Sequence, residues 1–292
     1  MTADDPTAID RSRSAAPLHR ARSGASRLAT NTGARGLLRV PEITAFFWVI
    51  KGLSTALGEA TSDYLVHAMA PVLAVMLGFV GFLWALWYQL SRRRYVAVAY
   101  WTAVVMVGVF GTMAADVLHV GFHVPYLASS FLYAICLAAV FLAWQRSERT
   151  LSIHTIDSLR REGFYWAAVV STFAAGTAVG DLLASTLHLG YGRSLILFVV
   201  LILATAVGFA ARKINAIAAF WIAYVLTRPL GASVADYLAK PRAVSGRGIG
   251  DGPVCLVLLL AIVVFVGVLS VTKLDVQDGS RHGASRRTSR SG

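Results

Sequence analysis

Charge is scarce in this chain. Only 14% of its 292 residues are Asp, Glu, Lys or Arg, against about 25% in an ordinary soluble domain. With 57% hydrophobic residues and a mean hydropathy of +0.63, one globule of this size cannot bury its own apolar surface. Lipid must cover the rest. Cysteine is nearly absent too: Cys136 and Cys255 both fall inside apolar runs, which excludes a disulfide framework and a zinc motif. The sequence also lacks a P-loop, G-x-S-x-G, H-E-x-x-H and a Rossmann fingerprint after a strand, so no soluble-enzyme signature is present and an enzyme is not expected. The glycine-rich run 246–252 joins two apolar runs and reads as a flexible loop rather than a phosphate cradle.

The chain is instead rich in long apolar runs and in arginine at its ends. Eight runs are long enough to span a hydrocarbon core, at roughly 43–65, 69–90, 96–118, 125–145, 164–186, 193–211, 214–238 and 253–272. The expected fold is all-α: a polytopic membrane bundle of about eight transmembrane helices over 41–272. The net charge of +12 does not point to nucleic acid, because most basic residues sit in the tails and in three short loops. Residues 1–40 hold seven Arg among small polar residues, with no apolar core and cleavage site in the right place for a secretory signal. Asp4, Asp5 and Asp10 count against an organellar transit peptide. Segments 1–40 and 273–292 read as disordered basic tails. Twenty-one basic residues fall on the side of the two termini and only Arg193, Lys240, Arg242 and Arg247 on the other. This asymmetry predicts cytoplasmic termini in a bacterial inner membrane.

The odd-numbered runs share a register. In each, a Trp (Trp48, Trp101, Trp166, Trp221) is followed ten residues later by a Gly (Gly58, Gly111, Gly176, Gly231). Five residues on comes an Asp (Asp63, Asp116, Asp181, Asp236), and two after that a Leu. Four ungapped copies, at about 43–90, 96–145, 164–211 and 214–272, define a two-helix repeat with one motif helix and one return helix. Because each copy has two spans, all motif helices run the same way, unlike the inverted repeats of many transporters. Over about residues 42–272, with a G-x-x-x-x-D-x-L core in every copy, the chain resembles uncharacterised bacterial membrane proteins made of four copies of a repeat of unknown function. The resemblance implies the repeat architecture and no activity.

Function must then be read from the repeated residues. The Trp residues lie near one end of each motif helix, where indoles anchor at headgroup level. The mid-helix Gly residues suit close helix packing, with a hinge as the alternative. Only Glu59 and the four Asp residues are acids well inside the runs, and a carboxylate at depth must be paired, protonated or hydrated. Four residues before each Asp, one turn below on the same face, stand Glu59, Thr112, Thr177 and Ala232. If the motif helices face one another, these oxygens suit a hard cation such as Mg, Ca or Mn, or a proton relay. The expected role is therefore a transporter or channel for a small ion, divalent metal first, with or without proton coupling, with lipid as surroundings and no resident cofactor. Lys51 and Arg228 read as charge partners of these acids, or as an anion site or a block on it. His119 and His188, after the second and third Asp, could serve an outer-face metal site or a pH sensor. Two other classes remain: a haem or redox protein built on the histidines, and a sensor or assembly factor acting through its basic tails.

Overall fold

In a computed structural model the described residues are 38–276, and they form eight α-helices. These are α1 Ala45–Ala68, α2 Pro71–Leu90, α3 Ala97–Asp116, α4 Tyr126–Glu148, α5 Leu159–Asp181, α6 Gly190–Ala210, α7 Ala216–Ala239 and α8 Asp251–Thr272. Seven of them, α2 to α8, are long and apolar enough to cross a membrane. The eighth, α1, carries Lys51, Glu59 and Asp63, and it can do so because its neighbours shield it: residues on all its faces from Ile50 to Ser62 are buried. Thr44, Ser158 and Asn215 cap α1, α5 and α7 by accepting from the backbone N–H three residues on, which satisfies otherwise orphaned donors. Pro71 opens α2, where its missing N–H is harmless.

The motif helices α1, α3, α5 and α7 pack in a closed ring, each against the next and α7 back onto α1. Half or slightly more of the apolar stretch of α3, α5 and α7 is buried (50–56%), against 17% in α2, α4 and α6. The outer helices therefore present Val72, Trp87, Ile135, Leu203, Val257 and Val271 outward, an apolar surface that only lipid can cover.

A return helix does not pack chiefly on the motif helix of its own repeat. α2 lies on α3, α4 on α5, α6 on α7, and α8 returns to α1. Each spatial pair thus straddles a boundary between sequence repeats, and the last helix clasps the first. The folded body reaches a few residues into both segments that composition assigns to tails. Val40 and Asp275 are buried, Arg39 N–H donates to the Ile156 carbonyl at 3.1 Å, and Glu42 N–H to that of Asp275 at 2.8 Å. Residues 38–40 and 273–276 belong to the folded body, because buried backbone groups there find partners in the bundle. The remainder of both tails lies outside the described residues.

The second and third motif helices end differently from the first and fourth. Directly after Asp116 and Asp181 the chain makes a π-helical turn, Val117–Gly121 and Leu182–Thr186. Two residues beyond each turn stands a histidine in left-handed conformation, His123 and His188. α1 and α7 continue as ordinary helix for a turn or so past Asp63, to Ala68, and past Asp236, to Ala239. Such π turns are rare and favour functional sites.

Gly58 meets α3 backbone to backbone: a Cβ there would lie 2.8 Å from the Gly108 backbone. Gly58→Val should overpack this crossing and destabilise the bundle by about 1–3 kcal/mol. Thermal unfolding in detergent should show it, with Gly52→Ala, whose Cβ meets nothing within 4 Å, unchanged.

Candidate functional site

Four-residue steps place side chains on one face of a helix, and in this ring those faces converge in layers. The Asp layer holds Asp63, Asp116, Asp181 and Asp236. One turn down come Glu59, Thr112, Thr177 and Ala232, then Thr55, Gly108, Phe173 and Arg228, then Lys51, Val104, Val169 and Tyr224. The last layer is Phe47, Tyr100, Tyr165 and Phe220.

All four Asp residues and Glu59 line one cavity of ≈770 Å³, together with Lys240, Tyr126, Tyr191 and the rim histidine His67. Glu59, Asp63 and Asp236 each bring a carboxylate oxygen within 4.8 Å of the other two. Asp236 is 6% exposed. Lys240 donates to Asp63 and lies 3.9 Å from Asp251. Burial alone would lower the pKa of Lys240, but the Asp63 carboxylate more than offsets this and raises it above the usual lysine range.

Beneath the cavity one cation joins all four repeats. Arg228 is fully buried, and its Nη2 donates to Glu59 at 2.6 Å, to Thr177 Oγ1 at 2.6 Å and to Thr112 Oγ1. Thr112 in turn donates to Glu59 at 3.2 Å. The sequence makes room for this side chain: Ala232 is small, and a Cβ on Gly176 would meet Arg228 Cβ at 2.7 Å. The other repeat glycines make the same cyclic contact, Gly111 against Phe173 and Gly231 against Thr55. Each motif glycine thus meets the residue eight before the next repeat's Asp. They act in close packing.

Lys51 is a different case. It is fully buried, has no carboxylate partner among the described residues, and its Nζ lies 4.3 Å from the ring centroids of both Phe173 and Tyr224. It does not neutralise Glu59 or Asp63; Arg228 and Lys240 do. The tryptophans also turn inward. Trp101, Trp166 and Trp221 are at most 5% exposed and Trp48 is partly buried, so burial in the bundle replaces the anchor role expected of them. Each packs at a tilt against the last-layer aromatic of the preceding repeat: Trp101 on Phe47 at 5.6 Å, Trp166 on Tyr100 at 5.6 Å, Trp221 on Tyr165 at 6.2 Å and Trp48 on Phe220 at 5.8 Å. This aromatic ring closes the end of the bundle away from the Asp layer.

The structure does not bring His119 or His188 to the carboxylates. His119 Nδ1 bonds the Val124 carbonyl at 2.8 Å and its ring stacks on Tyr126; His188 lines a separate pocket with Arg193 and Tyr237. Lys240, counted among the few basic residues on the side opposite the termini, stands four residues after Asp236, a spacing that places both on one helical face. Glu162 was missed. It is fully buried near the aromatic end, bound by Arg39 at 2.7 Å and Gln89 at 3.0 Å, and no repeat marks it.

Removing one member of a buried pair leaves an uncompensated charge. Arg228→Met should therefore lower stability by about 3–5 kcal/mol, while Arg228→Met with Glu59→Met should recover most of that loss. Thermal melts of the two singles and the double in detergent measure the coupling; additive losses would mean that the pair is not a pair.

No curated protein and no solved structure matches the chain. A family model described as Repeat of Unknown Function (DUF347) matches residues 99–150, 164–214 and 219–275. Each matched segment runs from a motif helix through its return helix. The first copy, about 43–90, lies outside the matched segments, and it is the one whose motif helix carries Lys51 and Glu59. With more than half its length matched, the chain, itself a multi-pass helical membrane protein by its seven long apolar helices, belongs to this repeat family.

Proposed function

We propose that the protein is a membrane transporter for a small cation, a divalent metal ion before others, and that the Asp cavity is where the ion binds. The observation that carries this reading is the convergence of five carboxylates, drawn from all four repeats, on one cavity. Against them stand two side-chain cations, Arg228 and Lys240, so an excess of negative charge is left for a mobile ion to balance. Asp116 and Asp181 have no basic partner among the described residues. The donors are hard carboxylate and hydroxyl oxygens, which suit Mg, Ca or Mn better than thiophilic metals. Intramembrane acids facing a cavity are the usual marks of an ion pathway.

In this reading, which the distribution of basic residues supports, both termini and the aromatic end face the cytoplasm of a bacterial cell and the cavity opens outward. The aromatic ring then bars the inner side, and transport requires the motif helices to part there. Lys240 acts as a tethered competitor for Asp63.

Asp116→Asn, Asp181→Asn and Asp236→Asn should each weaken divalent-ion binding by about tenfold or more, read as loss of metal-dependent thermal stabilisation and of uptake into proteoliposomes. A wild-type protein that neither binds nor moves Mg, Ca or Mn would refute the reading. Lys240→Gln should tighten binding at neutral pH. In the wild type the competition should persist even near pH ~10, where a free lysine is about half discharged, because Asp63 holds the Lys240 proton.

A further inference from the structure

The cavity is larger than one metal ion needs, and its acids are spread wider than one metal ion reaches. Oxygen ligands close on Mg or Ca at about 2.0–2.6 Å, so they must gather round one point. Glu59, Asp63 and Asp236 come near enough to one another for that, but neither Asp116 nor Asp181 joins their group. The volume of ≈770 Å³ falls within the roughly 300–1,000 Å³ of sites for organic ligands. Acids alone do not define a ligand, and a second observation points to one. Asp236 is 6% exposed and lines the cavity, yet its carboxylate has no hydrogen bond and no ion pair among the described residues. A carboxylate so enclosed needs a counter-charge.

The structure itself shows which kind of group suits these acids. Lys240 brings a primary ammonium on an alkyl stem to Asp63, from a position four residues after the fourth motif Asp. The equivalent positions of the second and third repeats hold Val120 and Ser185, both lining the cavity. Asp116 and Asp181 are thereby left without a basic partner among the described residues. The rest of the wall is largely apolar, with Val66, Val75, Met113 and Val117, and Tyr126 and Tyr191 complete it. Aromatic faces attract ammonium groups, as Phe173 and Tyr224 hold Lys51 deeper in the bundle. A hydrated metal ion gains nothing from aliphatic walls, whereas an alkyl chain does. Asp116, Asp181 and Asp236 stand on successive members of the ring, α3, α5 and α7. Axes of packed helices lie roughly 8–10 Å apart, a gap that a short aliphatic chain bridges.

We propose that the cavity takes a linear aliphatic diamine as its dication, one ammonium at Asp116 and Asp181 and the other at Asp236, with the chain along the apolar wall. The inference rests on the reading of the cavity as a cation site and adds organic diammonium ions to the metal ions named there. Two charges on one ligand answer the excess of carboxylates that Arg228 and Lys240 leave. Val120 and Ser185 admit it, because a lysine at either position would fill the site from within, as Lys240 does at Asp63.

Thermal stabilisation of the full chain in detergent, with putrescine and Mn as separate probes, tests this. Putrescine should stabilise the wild type and bind about tenfold more tightly than n-butylamine, which lacks the second ammonium. Potassium chloride at matched ionic strength should not reproduce the shift. Asp116→Asn, Asp181→Asn and Ser185→Lys should each weaken putrescine binding by about tenfold or more. Stabilisation by Mn with none by putrescine would overturn the inference and leave the cation reading standing. A putrescine shift that n-butylamine or potassium chloride matches, or that survives both Asp→Asn changes, would overturn it as well. A response to putrescine without one to Mn would uphold the inference and remove metal ions from the reading; a response to neither would end both.

Discussion

A guanidinium in the middle of a membrane bundle has to be satisfied from within the protein, and most of what distinguishes this structure follows from how Arg228 is satisfied. Its nitrogen Nη2 reaches Glu59 of the first repeat, Thr112 of the second and Thr177 of the third. No pair of helices could supply that set. The Arg therefore holds all four motif helices in one register, and Gly176 and Ala232 matter because they leave the volume the side chain fills. Lipid offers little drive for apolar helices to associate, so packing and polar contacts across small residues carry the assembly. The same contact also explains why α1 tolerates three charged residues: its Glu59 is neutralised from α7, and its Asp63 by Lys240 just after that helix.

The contacts are cyclic, but the chemistry is two-fold. Each motif glycine meets the next helix and each Trp the preceding aromatic in all four repeats. The second and third repeats add Thr, Tyr and a π turn after Asp; the first and fourth add the charges and run on as ordinary helix. A π turn widens the helix just where the Asp opens into the cavity, while the charged repeats close the floor beneath it. The cavity and its floor each draw on all four repeats, but with different chemistry from the inner and the outer pair.

Much of this was legible in the sequence for a definite reason. The Trp–Gly–Asp–Leu register is ungapped, so it fixes depth, and four-residue spacing then assigns Glu59, Thr112 and Thr177 to one layer; the structure brings these three together around Arg228. Rotation and pairing were not legible. Both faces of a membrane helix are apolar, so hydropathy does not say whether Trp101 turns to headgroups or to the core. Short loops allow α2 to lie on α1 or on α3, and only side-chain fit selects α3. Lys240 was hidden by its place at the end of α7, and Lys51 by the assumption that a buried ammonium seeks a carboxylate, whereas two rings enclose it.

Glu59 is the residue that the cavity and its floor share. Its carboxylate lines the cavity beside Asp63 and Asp236, and it is also the one acid bound to Arg228. A cation seated among those three carboxylates competes with Arg228 for the same oxygens, as it competes with Lys240 for Asp63. Weakening the Glu59–Arg228 contact leaves the guanidinium to Thr112 and Thr177, which are neutral acceptors and hold it less strongly. Uncompensated positive charge then grows one layer above Lys51, where a second cation is already enclosed by the rings of Phe173 and Tyr224. A single carboxylate thus ties the occupancy of the cavity to the contact that holds the four motif helices in register.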